Sequence, residues 1–147
     1  MKSSSYKKEE SLAYHIRTAV RGLVREFNSA VIKAGYHVTD EQWIILSVLW
    51  DKEGINQQEL SKLSDRDKTS ITRLIDSLEK NNTVVRVPDK TDRRNKLIYL
   101  TKKGRDLEQG LGQVAVKVME KSLSGLTDEH IETSMITLKK IIKNTSI

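Results

Sequence analysis

The chain has 147 residues, of which 37% are apolar and 31% are charged, with a net charge of +6 and no cysteine. This composition is typical of one soluble domain with appended helices, and it excludes disulfides, thiolate metal sites and thiol redox switches. No apolar run approaches the ~20 residues that a membrane-spanning helix needs, and the start of the chain lacks a secretory signal. We therefore expect a cytoplasmic protein with a disordered tail over residues 1–9.

The first two predicted helices are long and amphipathic. The first covers residues 10–34 and ends near Gly35. Its apolar residues recur at steps of three and four: Leu12, Ile16, Val20, Leu23, Val24, Phe27 and Val31. The second begins after Thr39, because Thr39-Asp-Glu-Gln42 has the pattern of a capping box, and it ends at Gly54.

Two shorter predicted helices follow, separated by a polar turn at residues 64–66. Asn56 caps the third helix, where Asn56-Gln-Gln-Glu59 again has a capping-box pattern. Asp67 caps the fourth, which ends at Asn81 or Asn82. The apolar stripe of the fourth helix is Ile71, Leu74, Ile75 and Leu78. Two helices joined by a tight turn indicate a helix-turn-helix.

The start of the fourth helix carries side chains suited to DNA. If its apolar stripe faces the core, the exposed or flanking residues there are Lys68, Thr69, Ser70, Thr72 and Arg73. Arg can bond guanine through two hydrogen bonds, and Ser or Thr can reach bases or phosphates. Asp76 on this face is unfavourable beside DNA unless it anchors a nearby Arg. Taken alone, this helix is better explained as an amphipathic surface helix of mixed charge.

A basic β-hairpin is predicted directly after this helix. Short β-branched or aromatic runs at 84–87 and 97–100 predict two strands joined by a long polar loop. The loop contains four cations, Lys90, Arg93, Arg94 and Lys96. A solvated turn explains a basic loop in isolation, but a basic hairpin after a basic helix is more specific for nucleic acid. Residues 55–105 hold 13 Lys and Arg against 7 Asp and Glu, which accounts for the whole net charge of +6.

Two further helices are predicted at the C-terminal end, capped by Thr101 and Thr127. The apolar residues of the fifth are Leu107, Leu111, Val114, Val118 and Met119, and those of the sixth are Ile131, Met135, Leu138 and Ile142. His15, His37 and His130 lie far apart without paired-ligand spacing, and no catalytic motif occurs. We expect no metal site, no cofactor and no enzymatic activity.

Several segments together resemble the winged helix-turn-helix of MarR-type regulators. They are Ser70-Ile-Thr-Arg-Leu-Ile-Asp-Ser-Leu-Glu79, Val85-Arg86, Asp89-Lys-Thr-Asp-Arg-Arg94 and Leu100-Thr-Lys-Lys-Gly104. The spacing of Asp92 and Arg94 to Leu100-Thr101 matches the wing signature of that family, and Thr39–Trp43 resembles the start of its second helix. The resemblance covers roughly residues 10–143. Asp65-Arg-Asp67 and Asn82-Thr83 depart from the usual pattern.

The resemblance implies a mainly α fold with a small β-hairpin (α+β), in which residues 35–104 form the DNA-binding region. Residues 10–34 and 105–147 would form the dimerisation helices of a homodimer. The fourth helix would enter the major groove and Arg94 the minor groove, with Arg93 as an added neighbour. The predicted DNA contacts are Lys68, Thr69, Ser70, Thr72, Arg73, Lys90, Arg93, Arg94 and Lys96. The implied function is a ligand-relieved repressor on an inverted repeat, and a protein-interaction module is the alternative.

An effector pocket is the least specific of these expectations. Trp43 and Trp50 lie two turns apart on nearly one face of the second helix, and core packing is the simpler explanation. The family resemblance implies that they could instead line a site for a small aromatic anion. Tyr14, His15 and Arg21 of the first helix would then supply the polar contacts. The sequence leaves both readings open, as it does the operator, the regulated genes, and repression against activation.

Overall fold

The structure is a computed structural model that describes residues 5–146, and its architecture is mainly α with a small sheet. The helices are α1 (Leu12–Lys33), α2 (Asp40–Asp51), α3 (Gln57–Ser64), α4 (Lys68–Lys80), α5 (Lys102–Ser122) and α6 (Asp128–Thr145). The strands are β1 (Ile55–Asn56), β2 (Val84–Pro88) and β3 (Lys96–Leu100). The predicted fold class is confirmed. Residues 1–4 of the predicted tail lie outside the described part, and residues 8–10 form one 3-10 turn.

The predicted helix starts coincide with observed N-caps. Thr39 accepts a hydrogen bond from the Gln42 N–H, and the Gln42 side chain accepts one from the Thr39 N–H, which completes the capping box. Asn56 accepts from the Glu59 N–H at 2.8 Å. The second capping box is only half formed, because the Glu59 carboxylate pairs with Lys52 Nζ at 2.8 Å instead. A nearby cation outcompetes the backbone N–H for that carboxylate.

The wing contains three strands, whereas the sequence predicts a two-stranded hairpin. Strand β1 pairs antiparallel with β3 through Ile55 and Ile98, so the strand order is β1-β3-β2. Strand β2 pairs with β3 over its whole length, from Val84 opposite Leu100 to Pro88 opposite Lys96. The hairpin prediction was incomplete because a two-residue strand has no alternating pattern to detect. It becomes a strand only where the fold brings it beside β3.

The core joins α2, α3, α4 and the inner face of the sheet. The predicted stripe of α4 is buried along its length, as Ile71, Leu74, Ile75 and Leu78 are each at most 6% exposed. It packs in one cluster with Ile45, Leu46, Leu49, Leu60, Val84, Ile98 and Leu100. Burial of this stripe turns the opposite face of α4 towards solvent. The hydrophobic pattern therefore sets which residues of α4 are available to a partner.

The start of α5 is locked to the end of α4 through a glycine. Gly104 is buried, and a Cβ placed there would lie 2.1 Å from the carbonyl oxygen of Thr83. The Gly104 carbonyl accepts a hydrogen bond from Trp50 Nε1 at 2.9 Å, and the Thr101 N–H donates to the Thr83 carbonyl at 3.0 Å. Only glycine allows so close a backbone approach. This junction fixes how the DNA-binding region sits on α5.

The terminal helices keep much of their apolar surface exposed in the single chain. Helix α1 packs on α5 and buries Phe27 and Val31, whereas α6 has no buried residue in the part of the chain that is described. The exposed apolar side chains are Leu12, Val20, Ile32, Val116, Met119, Leu126, Met135, Ile136, Leu138 and Ile142. Within residues 5–146, no helix combines the length and the apolarity that crossing a membrane requires.

Candidate nucleic-acid interface

The first two turns of α4 present polar and basic side chains to solvent. Lys68, Thr69, Thr72 and Arg73 are exposed, and Ser70 is half-buried. Asp67 caps the helix by accepting from the Ser70 N–H at 2.7 Å. Hydrogen bonds from the backbone and side chain of Ser70 hold the pKa of Asp67 below its usual range. The cap is thus a stable carboxylate, which holds this turn in place.

Arg73 and Thr72 differ in how free they are to bind a ligand. Among residues 5–146, no hydrogen bond or ion pair holds the Arg73 guanidinium. The Thr72 hydroxyl donates to the Lys68 carbonyl at 3.0 Å and accepts from Gln57 Nε2 at 3.0 Å. A hydroxyl has one donor and two acceptor positions, so Thr72 keeps a single acceptor position. Arg73 is therefore the better base-reading candidate of the two.

The wing loop is ordered by its own aspartates. The Asp89 carboxylate accepts from the N–H and the hydroxyl of Thr91, both at 2.9 Å. These hydrogen bonds hold the pKa of Asp89 below its usual range. The Asp89 N–H donates to the Asn95 carbonyl, and the Asn95 N–H donates to the Asp92 carbonyl, each at 2.9 Å. These carboxylates build the turn that carries the cations.

The wing cations point into solvent around this turn. The Arg94 side chain is 93% exposed, and its Nε lies 3.3 Å from Asp92 Oδ1, which also accepts from the Arg94 N–H. Asp92 therefore orients Arg94, which explains the spacing of this pair in the wing signature. Lys90, Arg93 and Lys96 are exposed as well. The structure thus places all four predicted wing cations in or beside one loop.

Arg86 is the nearby arginine that Asp76 anchors, a partner that the sequence did not identify. Its guanidinium contacts Asp76 at 2.6 Å and Glu79 at 3.0 Å, both on α4. The side chain is only 19% exposed. Asp76, which is unfavourable on a DNA-facing surface, is therefore paired with an arginine. The signal in the sequence was the three-residue spacing of Asp76 and Glu79 on a helix, followed by a strand with a single arginine at its centre.

Two other cations of the basic segment also serve the fold. Lys103 Nζ donates to the Asn81 carbonyl at 2.9 Å, which closes the end of α4. Arg105 contacts Glu53 at 3.1 Å and donates to the Leu100 carbonyl. Lys102, beside them, is exposed. Apart from Lys102, the cations nearest the start of α4 that remain available to a polyanion lie in the first two turns of α4 and in the wing.

An apolar cavity of about 250 Å³ lies between α1, α2 and α5. Its lining residues are Leu23, Val24, Phe27, Asp40, Trp43, Ile44, Ala115, Val118 and Met119. The Trp43 ring packs against Phe27 and against Trp50, with centroids 5.3 Å apart in both pairs. Trp50 does not line the cavity but anchors α2 to Gly104 through its N–H. The two tryptophans thus meet, and only Trp43 borders the cavity.

The polar residues predicted for this pocket lie elsewhere in the single chain. Tyr14 and His15 contact each other edge to face near the start of α1, with centroids 5.5 Å apart. His15 Nδ1 is 2.8 Å from the Ser11 carbonyl oxygen. Arg21 borders a separate shallow depression with Ile16, Arg17 and Val20. One subunit therefore does not bring Tyr14, His15 or Arg21 to the Trp43 cavity.

The histidines are also separate from one another. His130 closes the capping box of α6, where the Thr127 N–H donates to its Nδ1 at 3.3 Å. His37 lies in the loop between α1 and α2. No group of three His, Asp or Glu side chains suited to a metal ion occurs among the described residues.

Comparisons with known proteins agree with this geometry. The model of the MarR family matches residues 38–96, which run from the start of α2 to the wing. The transcriptional regulator MgrA of Staphylococcus aureus is 25% identical over 140 residues, covering 95% of this chain and 93% of MgrA.

Two solved structures share the fold over nearly the whole chain. BpsR of Bordetella bronchiseptica, whose DNA binding is regulated by 6-hydroxynicotinic acid, has a TM-score of 0.86 at 22% identity and covers 94% of this chain and 97% of its own. CouR of Rhodococcus jostii RHA1, solved with p-coumaroyl-CoA, has a TM-score of 0.80 at 23% identity and covers 97% and 99%. CouR is a transcriptional repressor that has also been solved on a 23-mer DNA duplex.

The helix-turn-helix, strands β1 and β2 and the wing loop lie within the region that the family model matches, which ends at Lys96, the first residue of β3. Members of this family regulate transcription and are not enzymes. Over residues 38–96 the chain therefore matches the MarR family, and its winged helix-turn-helix is of the kind found in MarR-type transcriptional regulators.

Proposed function

We propose that this protein is a homodimeric, ligand-responsive repressor that binds an inverted repeat in duplex DNA. The observation that carries the proposal is the separation of charge on the DNA-binding region. Asp67, Asp76, Asp89 and Asp92 are all engaged by intramolecular partners, whereas Arg73 and the wing cations extend into solvent. Such a surface attracts phosphates and leaves arginines free for base edges.

The proposed DNA contacts come from two elements. The first two turns of α4, with Lys68, Thr69, Ser70, Thr72 and Arg73, would enter the major groove, where Arg73 reads a base. The wing, with Lys90, Arg93, Arg94 and Lys96, would lie along the flanking backbone. Arg94 would insert into the minor groove, which attracts arginine most strongly where it is narrow and A·T-rich.

The proposed dimer uses the terminal helices. Helix α6 buries no residue within one chain, although Met135, Leu138 and Ile142 form an apolar stripe along it. An apolar surface of this extent is typical of a protein–protein interface. A second copy of the chain, related by a two-fold axis, would bury the same surface twice and present two copies of α4 to one face of DNA.

The proposed effector site is the cavity beside Trp43. Its apolar walls suit the ring of a small aromatic anion, and BpsR responds to such a compound. Because Asp40 borders the cavity, the anionic group would lie at the opposite end. Tyr14, His15 and Arg21 do not reach the cavity within their own subunit, so they would contribute from the second subunit.

The position of this cavity supports control of DNA binding by a ligand. It is bordered by α1 and α5, which belong to the proposed dimer region, and by α2, which belongs to the DNA-binding region. A ligand shifts the equilibrium only if it binds more tightly to the arrangement that does not fit the operator. A coupling of ~1–3 kcal/mol would weaken DNA binding by about 5–150-fold.

One titration series tests the proposal. Genomic fragments that the protein protects should contain an inverted repeat with half-sites about one turn, 10–10.5 bp, apart. The affinity for DNA should fall steeply as the salt concentration rises, because each contacted phosphate contributes about −0.9 to the slope of log K against log salt.

The effector site is tested in the same titrations. Adding 6-hydroxynicotinate or salicylate should weaken DNA binding and change the tryptophan fluorescence. Equal affinity for random DNA and a flat salt response would refute the proposed DNA binding, and an unchanged affinity at millimolar ligand would refute the effector site.

A further inference from the structure

Arg86 lies at the centre of a network that joins the wing to α4. Its Nη2 is 2.6 Å from Asp76 Oδ1 and its Nη1 is 3.0 Å from Glu79 Oε1. Its Nε donates to Gln57 Oε1 at 3.4 Å. Each guanidinium nitrogen is therefore directed at an acceptor within the protein, and the side chain is only 19% exposed. Such an arginine is poorly placed to contact DNA.

The two carboxylates lie near the surface proposed to face DNA. Asp76 follows Thr72 by four residues and Arg73 by three, so it shares their side of α4 one turn further along. The side chains of Asp76 and Glu79 are 62% and 44% exposed. Unpaired carboxylates at this position would repel the operator phosphates.

We propose that Arg86 is a charge-neutralising positioning residue and makes no contact with DNA. It shields Asp76 and Glu79 from the phosphates, so that α4 can approach the major groove. This inference rests on the proposed DNA-binding function and deepens it. It also means that Arg86, although it belongs to the basic segment, adds no phosphate contact to the salt dependence.

Gln57 extends the network to a proposed DNA contact. Because its Oε1 accepts from Arg86, its Nε2 is turned towards the Thr72 hydroxyl, to which it donates at 3.0 Å. Thr72 in turn donates to the Lys68 carbonyl. Arg86 thereby helps to fix which acceptor position of Thr72 remains available. The network thus links β2, α3 and the exposed face of α4.

Two variants and one matched control test this role. The measurements are the affinity for the operator and the slope of log K against log salt. Arg86→Met leaves both carboxylates uncompensated in each subunit, and we expect operator affinity to fall roughly tenfold. The triple variant Arg86→Met/Asp76→Asn/Glu79→Gln removes all three charges, so its affinity should return at least to that of the unmodified protein. Lys121→Met removes a cation that pairs with Glu26 at 2.8 Å between α5 and α1, and it should leave affinity unchanged.

The outcomes separate shielding from direct contact. Unchanged binding by Arg86→Met would overturn the inference. If the triple variant still binds the operator weakly, and its slope of log K against log salt is smaller by about 0.9 per subunit, then Arg86 itself contacts a phosphate. The triple variant carries no unpaired charge at this site, so its result decides the matter even where Arg86→Met alone does not fold, as thermal unfolding would reveal. Failure of the unmodified protein to prefer its operator would refute the proposed function itself.

Discussion

At the scale of single residues, the DNA-binding region divides its charged side chains between two tasks. Asp67, Asp89 and Asp92 hold turns, and Arg86, Lys103 and Arg105 hold helices and strands together. The cations without such a structural role form a smaller set than the sequence total implies. The number of charges can be read from the sequence, but the hydrogen bonds within the folded chain determine which cations remain available to a partner.

A prediction for single residues separates arginines that read the DNA sequence from lysines that only attract phosphates. Arg73→Ala should cost ~1–3 kcal/mol of operator binding and relax the preference at one base position, because no intramolecular partner holds this arginine. Arg94→Ala should weaken binding most on operators with A·T-rich flanks. Lys102→Ala is the control, with a small effect that does not depend on sequence. Binding to a set of point-mutated operators measures all three, and intact selectivity in both arginine variants would contradict the proposed placement.

At the scale of elements, the junction between α4 and α5 determines the orientation of the DNA-binding region. Gly104→Ala should lower the free energy of unfolding by ~1–3 kcal/mol, because its Cβ would overlap a backbone oxygen that cannot move aside easily. Gly112 on the same helix has no atom within 4 Å of an added Cβ. Gly112→Ala should therefore stabilise the protein by up to ~1 kcal/mol, through helix propensity alone. Denaturant unfolding compares the two, and equal stability of both variants would contradict the close-approach argument.

At the scale of the whole molecule, the terminal helices expose more apolar surface than one chain can bury. Met135→Glu/Ile142→Glu should dissociate the proposed dimer into 16.8 kDa subunits, because both side chains are more than half exposed within one chain. Operator affinity should fall with it, since each subunit then binds a single half-site. Lys140→Glu, on the opposite side of α6, should leave the dimer intact. Sedimentation measures the mass, and an unmodified protein that is already monomeric would rule out this dimer.

The helices and their exposed faces follow from local patterns in the chain. The caps at Thr39, Asp67, Thr101 and Thr127 act within three residues, and the stripe of α4 repeats every three or four. Both are local interactions, which a linear pattern records. The wing signature was equally local, because Asp92 orients Arg94 two residues away.

The contacts between distant segments arise only when the helices and strands pack together. Strand β1 exists because the fold places Ile55 beside Ile98, and Trp50 acts as an anchor because Gly104 lies within hydrogen-bond distance, 54 residues further along the chain. Arg86 and Asp76 are ten residues apart, on a strand and a helix whose relative position no periodicity encodes. Such contacts depend on how the elements pack and not on the local conformation that each segment favours. Within the basic segment, they determine which cations pair inside the protein and which remain available to a partner.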